Sequence, residues 1–286
     1  MRWFDELLYS DRSSLGYIQR FRVDKVLKEV KTKRQHLLIF ETPYFGRVLV
    51  IDGVVQTTEI DEFAYHEMLS HVPILAHGKV KRVLIVGGGD GGVLKQVLRH
   101  RGVTSVTVVE IDETVIELCE EYLPLISEGA FKNPRTNLVI DDGFSYLAET
   151  TDSYDVIIVD STDPFGPGET LFTEQFYNNC RSRLKMNGIL VSQNGVPFTQ
   201  EQEFVSSYNR LQNIFKDTTF YLTVVPTYVG GYMALGWASD FEAHRWVTRD
   251  DLAARYRGAG LTTRYYSPDI HKASFVLPPF ITEMIA

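Results

Sequence analysis

An α/β fold is predicted from this chain: a small N-terminal antiparallel β domain followed by a Rossmann-like sheet with helices on both faces. Three observations carry it. From residue 82 onward, short Val/Ile runs alternate with helical segments, and continuous β-branched runs of that kind belong to parallel strands buried on both faces. The run Arg82-Val83-Leu84-Ile85-Val86 empties into Gly87-Gly88-Gly89-Asp90-Gly91-Gly92 and then into the helical spacing Val93, Leu94, Val97, Leu98, which reads as strand, tight turn, helix. Residues 15–60 instead carry strand-like runs punctuated by Pro43, Gly46 and Gly53.

Residues 1–14 are too short and mixed to assign. Strands are expected over 19–23, 25–31, 36–40 and 47–52, with Asp52-Gly53 as a hairpin turn between apolar runs. Four or five such strands bury little alone, so the sheet is expected to pack on the next unit or on a second subunit. A helix over 61–75 presents Phe63, Met68, Leu69 and Val72 on one face and nears its end at Pro73. Strands over 82–86, 105–110, 136–140, 155–160 and 188–193 then alternate with helices over 92–100, 113–122, 144–150, 173–184 and 200–215. Strands over 218–225 and 231–238 and a helix over 249–259 close the pattern; the rest of the tail shows only its prolines. The division expected is 1–61 for the β domain and 62–286 for the Rossmann-like domain.

Of the 286 residues, 44% are hydrophobic and 23% charged, as in ordinary globular proteins. The net charge of −8 argues against a nucleic-acid surface and suits a cationic substrate. No apolar run is long enough to span a membrane, and the N-terminal Met1-Arg2-Trp3-Phe4-Asp5-Glu6 has acids where a signal peptide needs an apolar stretch. Cys119 and Cys180 read as buried reduced thiols, which implies a cytoplasmic setting. His36, His71, His77, His100, His244 and His271 are scattered and read as surface or core residues, so no metal site is expected.

Ligands of a parallel sheet lie beyond the carboxyl ends of its strands, and here each end carries glycine or acid. Gly87-x-Gly89-x-x-Gly92 has the spacing of a dinucleotide fingerprint, yet Asp90 within it would repel a phosphate and suits a cation. The second strand ends in Glu110, 18 residues past Gly92, where an acid hydrogen-bonds ribose hydroxyls. The third ends in Asp141-Asp142-Gly143, and an acid followed by a free N–H can read an adenine edge. Together the three describe an adenosine site. The fourth ends in Asp160-Ser161-Thr162-Asp163-Pro164. Asp163 alone could be a turn residue, but Asp160 closes an apolar strand, where a carboxylate is costly unless it has a partner or a task. With Asp90 the pair makes an acidic rim. An ammonium about 4 Å from one carboxylate gains about 4 kcal/mol at an effective dielectric of 20, and a substrate carboxylate loses as much. The rim therefore selects polycations.

Leu49 to Gln56, Asp61-Glu62-Phe63-Ala64-Tyr65-His66-Glu67, Gly87 to Gly92, Asp160 to Pro167 and Pro226-Thr227-Tyr228 resemble the spermidine synthase family of polyamine aminopropyltransferases, over nearly the whole chain. The resemblance implies a methyltransferase-type Rossmann-like sheet and transfer of an aminopropyl group from decarboxylated S-adenosylmethionine to putrescine, giving spermidine and methylthioadenosine. It implies no metal and no cofactor, the nucleoside being a co-substrate, and a homodimer or homotetramer. Position by position, Asp160 resembles the proton acceptor, helped by Tyr65. Asp90 and Asp163 would hold cationic amines, with His66, Ser161, Thr162, Tyr228 and Gln56 lining the amine site. Glu110 would bind ribose, Asp142 and Gly143 adenine, and Gln35, Gln56, Gly87, Gly89 and Pro167 would complete the nucleoside pocket. His66 stands where some members have Gln, and Ser161-Thr162 varies, so the diamine preferred is left open.

Attack of an amine on the carbon beside a sulfonium is a direct displacement, and no serine or cysteine nucleophile motif is present. The amine must first lose a proton; from a value near ~10 this costs about 4 kcal/mol at pH 7. A base at Asp160 meets that need. An S-adenosylmethionine-dependent methyltransferase would share the glycine loop, but Asp90 opposes the methionine carboxylate. A nicotinamide dehydrogenase leaves Asp160, Asp163 and Asp142-Gly143 unexplained. A non-catalytic polyamine-binding protein would not need the adenosine site. The segment 163–171 reads as a lid or an ordinary surface loop.

Overall fold

The computed structural model describes residues 2–6, 18–163 and 166–286. Near the N-terminus a short strand β1 (Arg2–Asp5), where none was assigned, pairs antiparallel with β2 (Arg20–Val23). Strands β3 (Lys25–Lys31), β4 (His36–Thr42), β5 (Gly46–Ile51) and β6 (Val54–Thr58) form a separate four-stranded antiparallel sheet. The expected single sheet is thus two. Asp52 (φ 50°) and Gly53 (φ 84°) make the two-residue turn between β5 and β6, the conformation a twisted hairpin favours. Alternation decides what each face covers. Leu37, Ile39, Leu49 and Ile51 pack with Val115, Leu118, Cys119 and Ile126, while Leu38, Phe40, Val48 and Val50 pack with Phe21 and Val23 of β2.

Helix α1 (Glu62–His77) is buried from Ala64 to Ala76 and ends on Gly78 in the left-handed region. Pro73 lies inside it, four residues short of the end, because burial on all sides holds the helix past the missing N–H. The alternating units follow: β7 (Arg82–Gly87), α2 (Gly92–Leu98), β8 (Ser105–Glu110), α3 (Glu113–Tyr122), the short α4 (Pro124–Ser127), β9 (Thr136–Ile140), α5 (Gly143–Glu149), β10 (Tyr154–Asp160), α6 (Glu174–Arg183), β11 (Leu184–Gln193), α7 (Glu201–Ile214), β12 (Asp217–Val224) and β13 (Tyr232–Ser239). These strands make one seven-stranded sheet in the order β12-β13-β11-β10-β7-β8-β9. β13 runs antiparallel to β11 and to β12, since the loop 225–231 is too short for a parallel crossover. After α8 (Arg249–Ala259), the proline-bearing tail forms two helices not foreseen, α9 (Pro268–Ser274) and α10 (Pro279–Met284), each with proline in its first turn.

Alternate residues of the sheet face two cores. Val83, Ile85, Val106, Val156 and Val191 join α1 and α2; Leu84, Val86, Ile157, Val159 and Leu190 join α5, α6 and α7. His71 and His100 lie in the first of these layers with ring nitrogens 2.8 Å apart, and burial lowers both, His100 to about 4. Because β7 pairs with both β8 and β10, the crossovers diverge at its carboxyl end. A crevice opens there.

Candidate active site

The crevice beyond β7, β8 and β10 is a cleft of about 1260 Å³ counted with its open mouth. Two glycines are required by its geometry. Gly87 (φ 82°) lies against the Asp160 carbonyl, which accepts from Gly88 N at 3.0 Å; any side chain there would part β7 from β10. A Cβ on Gly92 would overlap the His66 ring.

All but one of the expected residues line this cleft. Asp90, Asp160 and Asp163 do so with Ser161 and Thr162, as do Tyr65, His66, Gln56, Tyr228, Gln35, Gly87, Gly89, Glu110, Asp142 and Gly143. Pro167 falls in the 3-10 turn Gly166–Phe172, but its side chain, like residues 164–165 of the expected lid segment, lies outside the described residues.

The Tyr65 hydroxyl donates to Asp160 Oδ1 at 2.8 Å. Burial and the charge of Asp90 push the Asp160 carboxyl up to about 6, against the opposing pull of His66 and the Tyr65 hydrogen bond. Burial also raises Asp163, whose Oδ1 accepts from Gln193 Nε2 at 3.0 Å. Burial raises Glu110 to about 7, although its Oε1 accepts from Asp112 N at 3.0 Å. The phenols of Tyr65 and Tyr228 are held well above their usual range, by burial first and by Asp160 next. Tyr228 donates to Gln56 O at 2.7 Å, and Asp61 fixes the preceding residue by accepting from Thr227 N and Oγ1.

The group facing Asp90 of the glycine loop is a side chain of the chain itself, His66 of α1. His66 Nδ1 lies 2.5 Å from Glu62 Oε2 and Nε2 lies 3.2 Å from Asp90 Oδ2. Burial opposes a charged ring, yet the two carboxylates raise His66 well above its usual range. Burial likewise disfavours the Asp90 charge, and His66 with the Gly92 N–H outweighs it and lowers that carboxyl. Polar atoms of His66, Asp90 and Asp160 lie within 4.8 Å of one another. Both ring nitrogens of His66 already face carboxylates, Nδ1 that of Glu62 and Nε2 that of Asp90, the arrangement of an ion-pair cluster. Asp142 is also shared: its Oδ1 accepts from Phe144 N and Ser145 N, capping α5.

Sequence reasoning missed Glu6, Glu62, Gln193 and Gln200. Glu6 is buried and lines the cleft; one oxygen accepts from Val55 N at 2.8 Å, while Oε2 has no partner among the described residues. Burial pushes its carboxyl up to about 8, with the Asp163 charge adding to the rise. Gln193 and Gln200 also line the cleft and brace the loop beyond β11, accepting from Gly195 N and Val196 N. Nothing in the local pattern marked Glu6, Gln193 or Gln200. Glu62 stands four residues before His66 on a predicted helix, a spacing that marks it.

A family model described as the spermine/spermidine synthase domain matches residues 62–246, and one described as the spermidine synthase tetramerisation domain matches residues 3–59. The chain is similar to polyamine aminopropyltransferase 1 of Pseudomonas aeruginosa, with 52% identity over 282 residues, 99% of this chain and 97% of that one. It is similar in structure to a spermidine synthase crystallised with the transition-state analogue AdoDATO, at TM-score 0.93 and 36% identity, covering 99% of this chain and 94% of that one. The spermidine synthase of Thermotoga maritima superposes with TM-score 0.91 and 35% identity, covering 100% of this chain and 94% of that one. Among the described residues no helix is long and apolar enough to cross a membrane. With the acidic cluster and the adenosine-type strand ends in one crevice, and with these matches spanning both the β sheets and the helical layers, the chain belongs to the spermine/spermidine synthase family.

Proposed function

We propose that this chain moves the aminopropyl group of decarboxylated S-adenosylmethionine to putrescine, giving spermidine and methylthioadenosine by direct displacement. The observation that carries the reading is the Tyr65–Asp160 hydrogen bond set among Asp90, Asp163 and the adenosine-type residues of one cleft. Glu110 takes the ribose, Asp142 and Gly143 the adenine edge, and Gln35, Gly87, Gly89 and Pro167 complete the nucleoside pocket. The acidic rim receives the cationic amines, lined by His66, Ser161, Thr162, Tyr228 and Gln56. Glu6, with a buried oxygen unpartnered among the described residues, meets the ammonium at the far end of the diamine.

The step follows from charge and geometry. The Asp160 carboxylate binds the near ammonium and takes one proton from it. The freed nitrogen lone pair forms the bond to the carbon beside the sulfonium, and the carbon–sulfur pair leaves on sulfur as neutral methylthioadenosine. A base at about 6 is ionised at neutral pH and close enough to it to pass the proton on. Both substrates are held in line by fixed carboxylates, so the barrier falls mainly through positioning.

The same reading takes residues 1–61 as a β domain that contributes Glu6 and Gln35, and 62–286 as the catalytic domain. It places the enzyme in the cytoplasm, where the buried thiols of Cys119 and Cys180 stay reduced, as a homodimer or homotetramer without a prosthetic group. The test is product analysis by mass spectrometry with decarboxylated S-adenosylmethionine, intact S-adenosylmethionine and a panel of diamines. Spermidine and methylthioadenosine in equal amounts from the decarboxylated donor alone are expected. Methylated amine from the intact donor would overturn the reading.

A further inference from the structure

The cluster beside Asp160 is a chain of alternating charges. Lys95 of α2 lies 3.4 Å from Glu62 Oε1, Glu62 Oε2 lies 2.5 Å from His66 Nδ1, and His66 Nε2 lies 3.2 Å from Asp90 Oδ2. Lys95 also reaches Glu128 at 3.6 Å. The His66 and Asp90 side chains are 3% and 12% exposed, so solvent reaches the imidazole ring little. The groups facing His66 are Glu62 from its own helix, Asp90 from the loop after β7, Asp160 from the end of β10 and the ring of Tyr65 at 5.5 Å. Glu62 is not among the residues that line the main cleft.

We infer that Glu62 is a positioning residue of the reaction: it holds His66 as an imidazolium against Asp90 and thereby keeps Asp160 in the ionised form that accepts the proton. The inference rests on the site reading above. Its logic is proximity: of the cluster's charges, those of His66 and Asp90 lie within 4.8 Å of Asp160, and while His66 is charged the two oppose each other there. With His66 neutral, the Asp90 charge stands uncompensated within 4.8 Å of Asp160, and two carboxylates that close cannot both stay ionised. Asp160 would then take a proton and cease to be a base. Glu62 prevents this because its carboxylate accepts from Nδ1–H and obliges Nε2–H to point at Asp90. A neutral amide at position 62 would still accept from Nδ1–H, but Nε2 could release its proton. Gly92 completes the device by leaving room for the ring.

The test is Glu62→Gln and Glu62→Asp beside the wild-type enzyme. For Glu62→Gln the acidic limb of kcat/KM against pH is expected to move up by about one unit, so that activity at pH 6 falls about fivefold while activity at pH 9 changes less than about threefold. Methylthioadenosine affinity should hold, and Glu62→Asp should restore the limb in part. Nitrogen NMR of His66, assigned with His66→Gln, should show both ring nitrogens protonated at pH 7 in wild type and one in Glu62→Gln. A uniform loss of kcat with the limb unmoved would make Glu62 merely structural and overturn the inference. A wild-type His66 with one proton at pH 7 would overturn it as well, even if Glu62→Gln fails to fold. The site reading is tested apart from this by Asp160→Asn, whose turnover fails or survives whatever Glu62 does.

Discussion

Tyr65 and Asp160 are joined by one hydrogen bond of 2.8 Å from phenol to carboxylate, made by the first buried turns of α1 to the last residue of β10. The bond favours the ionised carboxylate and opposes the burial that raises it to about 6. Removing it should therefore raise Asp160 further. Tyr65→Phe is expected to lose about tenfold in kcat near pH 7 and to recover part of that at pH 8.5. A pH series of initial rates for the two proteins checks this.

Glu6 presents the opposite case, a carboxylate oxygen buried without a partner among the described residues. Glu6→Gln keeps the shape and the acceptor for Val55 N but removes the charge a distal ammonium would meet. The KM for putrescine should rise about tenfold with kcat within about threefold, the signature of lost binding that is equal in ground and transition states. Steady-state kinetics with saturating nucleoside measure it.

Much of the site could be read from the chain because of where it sits. Residues at the carboxyl ends of β7, β8, β9 and β10 follow apolar runs, so Gly87 to Asp90, Glu110, Asp142 and Asp160 announce themselves by position. Glu6 does not. It reaches the cleft through the β1–β2 pairing and its bond to Val55, 49 residues away, and no local pattern encodes a partner at that distance. Gln193 and Gln200 were hidden for a related reason: they brace a loop beyond β11, whose neighbour β13 runs antiparallel. Asp90 within the glycine loop suggested a place for a cation; only side-chain geometry shows that His66 lies against it.

Stability should carry the signature of these acids. Glu6 at about 8 and Glu110 at about 7 stand above their ordinary 4.5 in the folded chain, so the native state keeps protons that the unfolded chain releases. Their contribution is complete below about 4.5 and is lost as pH rises through their folded values. His66, also raised, acts in the same direction. Above pH about 6.5 the lowered pair His71 and His100 is neutral in both states and drops out. The melting temperature of the ligand-free protein is expected to fall between pH about 6.5 and 8.5, less steeply in Glu6→Gln, and spermidine should raise it more at the upper pH. Differential scanning calorimetry across that window decides the sign.

Gly92 offers a steric test. Gly92→Ala places a methyl where the His66 ring stands, and neither can move easily in a buried cluster. A cost of about 1–3 kcal/mol in chemical denaturation is expected, with a fall in kcat larger than the change in methylthioadenosine affinity.

The claim that Asp160 accepts the amine proton is tested most directly by single-turnover kinetics of Asp160→Asn with decarboxylated S-adenosylmethionine and putrescine, alongside methylthioadenosine affinity by calorimetry. The prediction is a chemical step slowed by about 10² to 10⁴ with the nucleoside bound within about threefold of wild type. A chemical step at the wild-type rate would contradict it and move the proton acceptor elsewhere in the cleft.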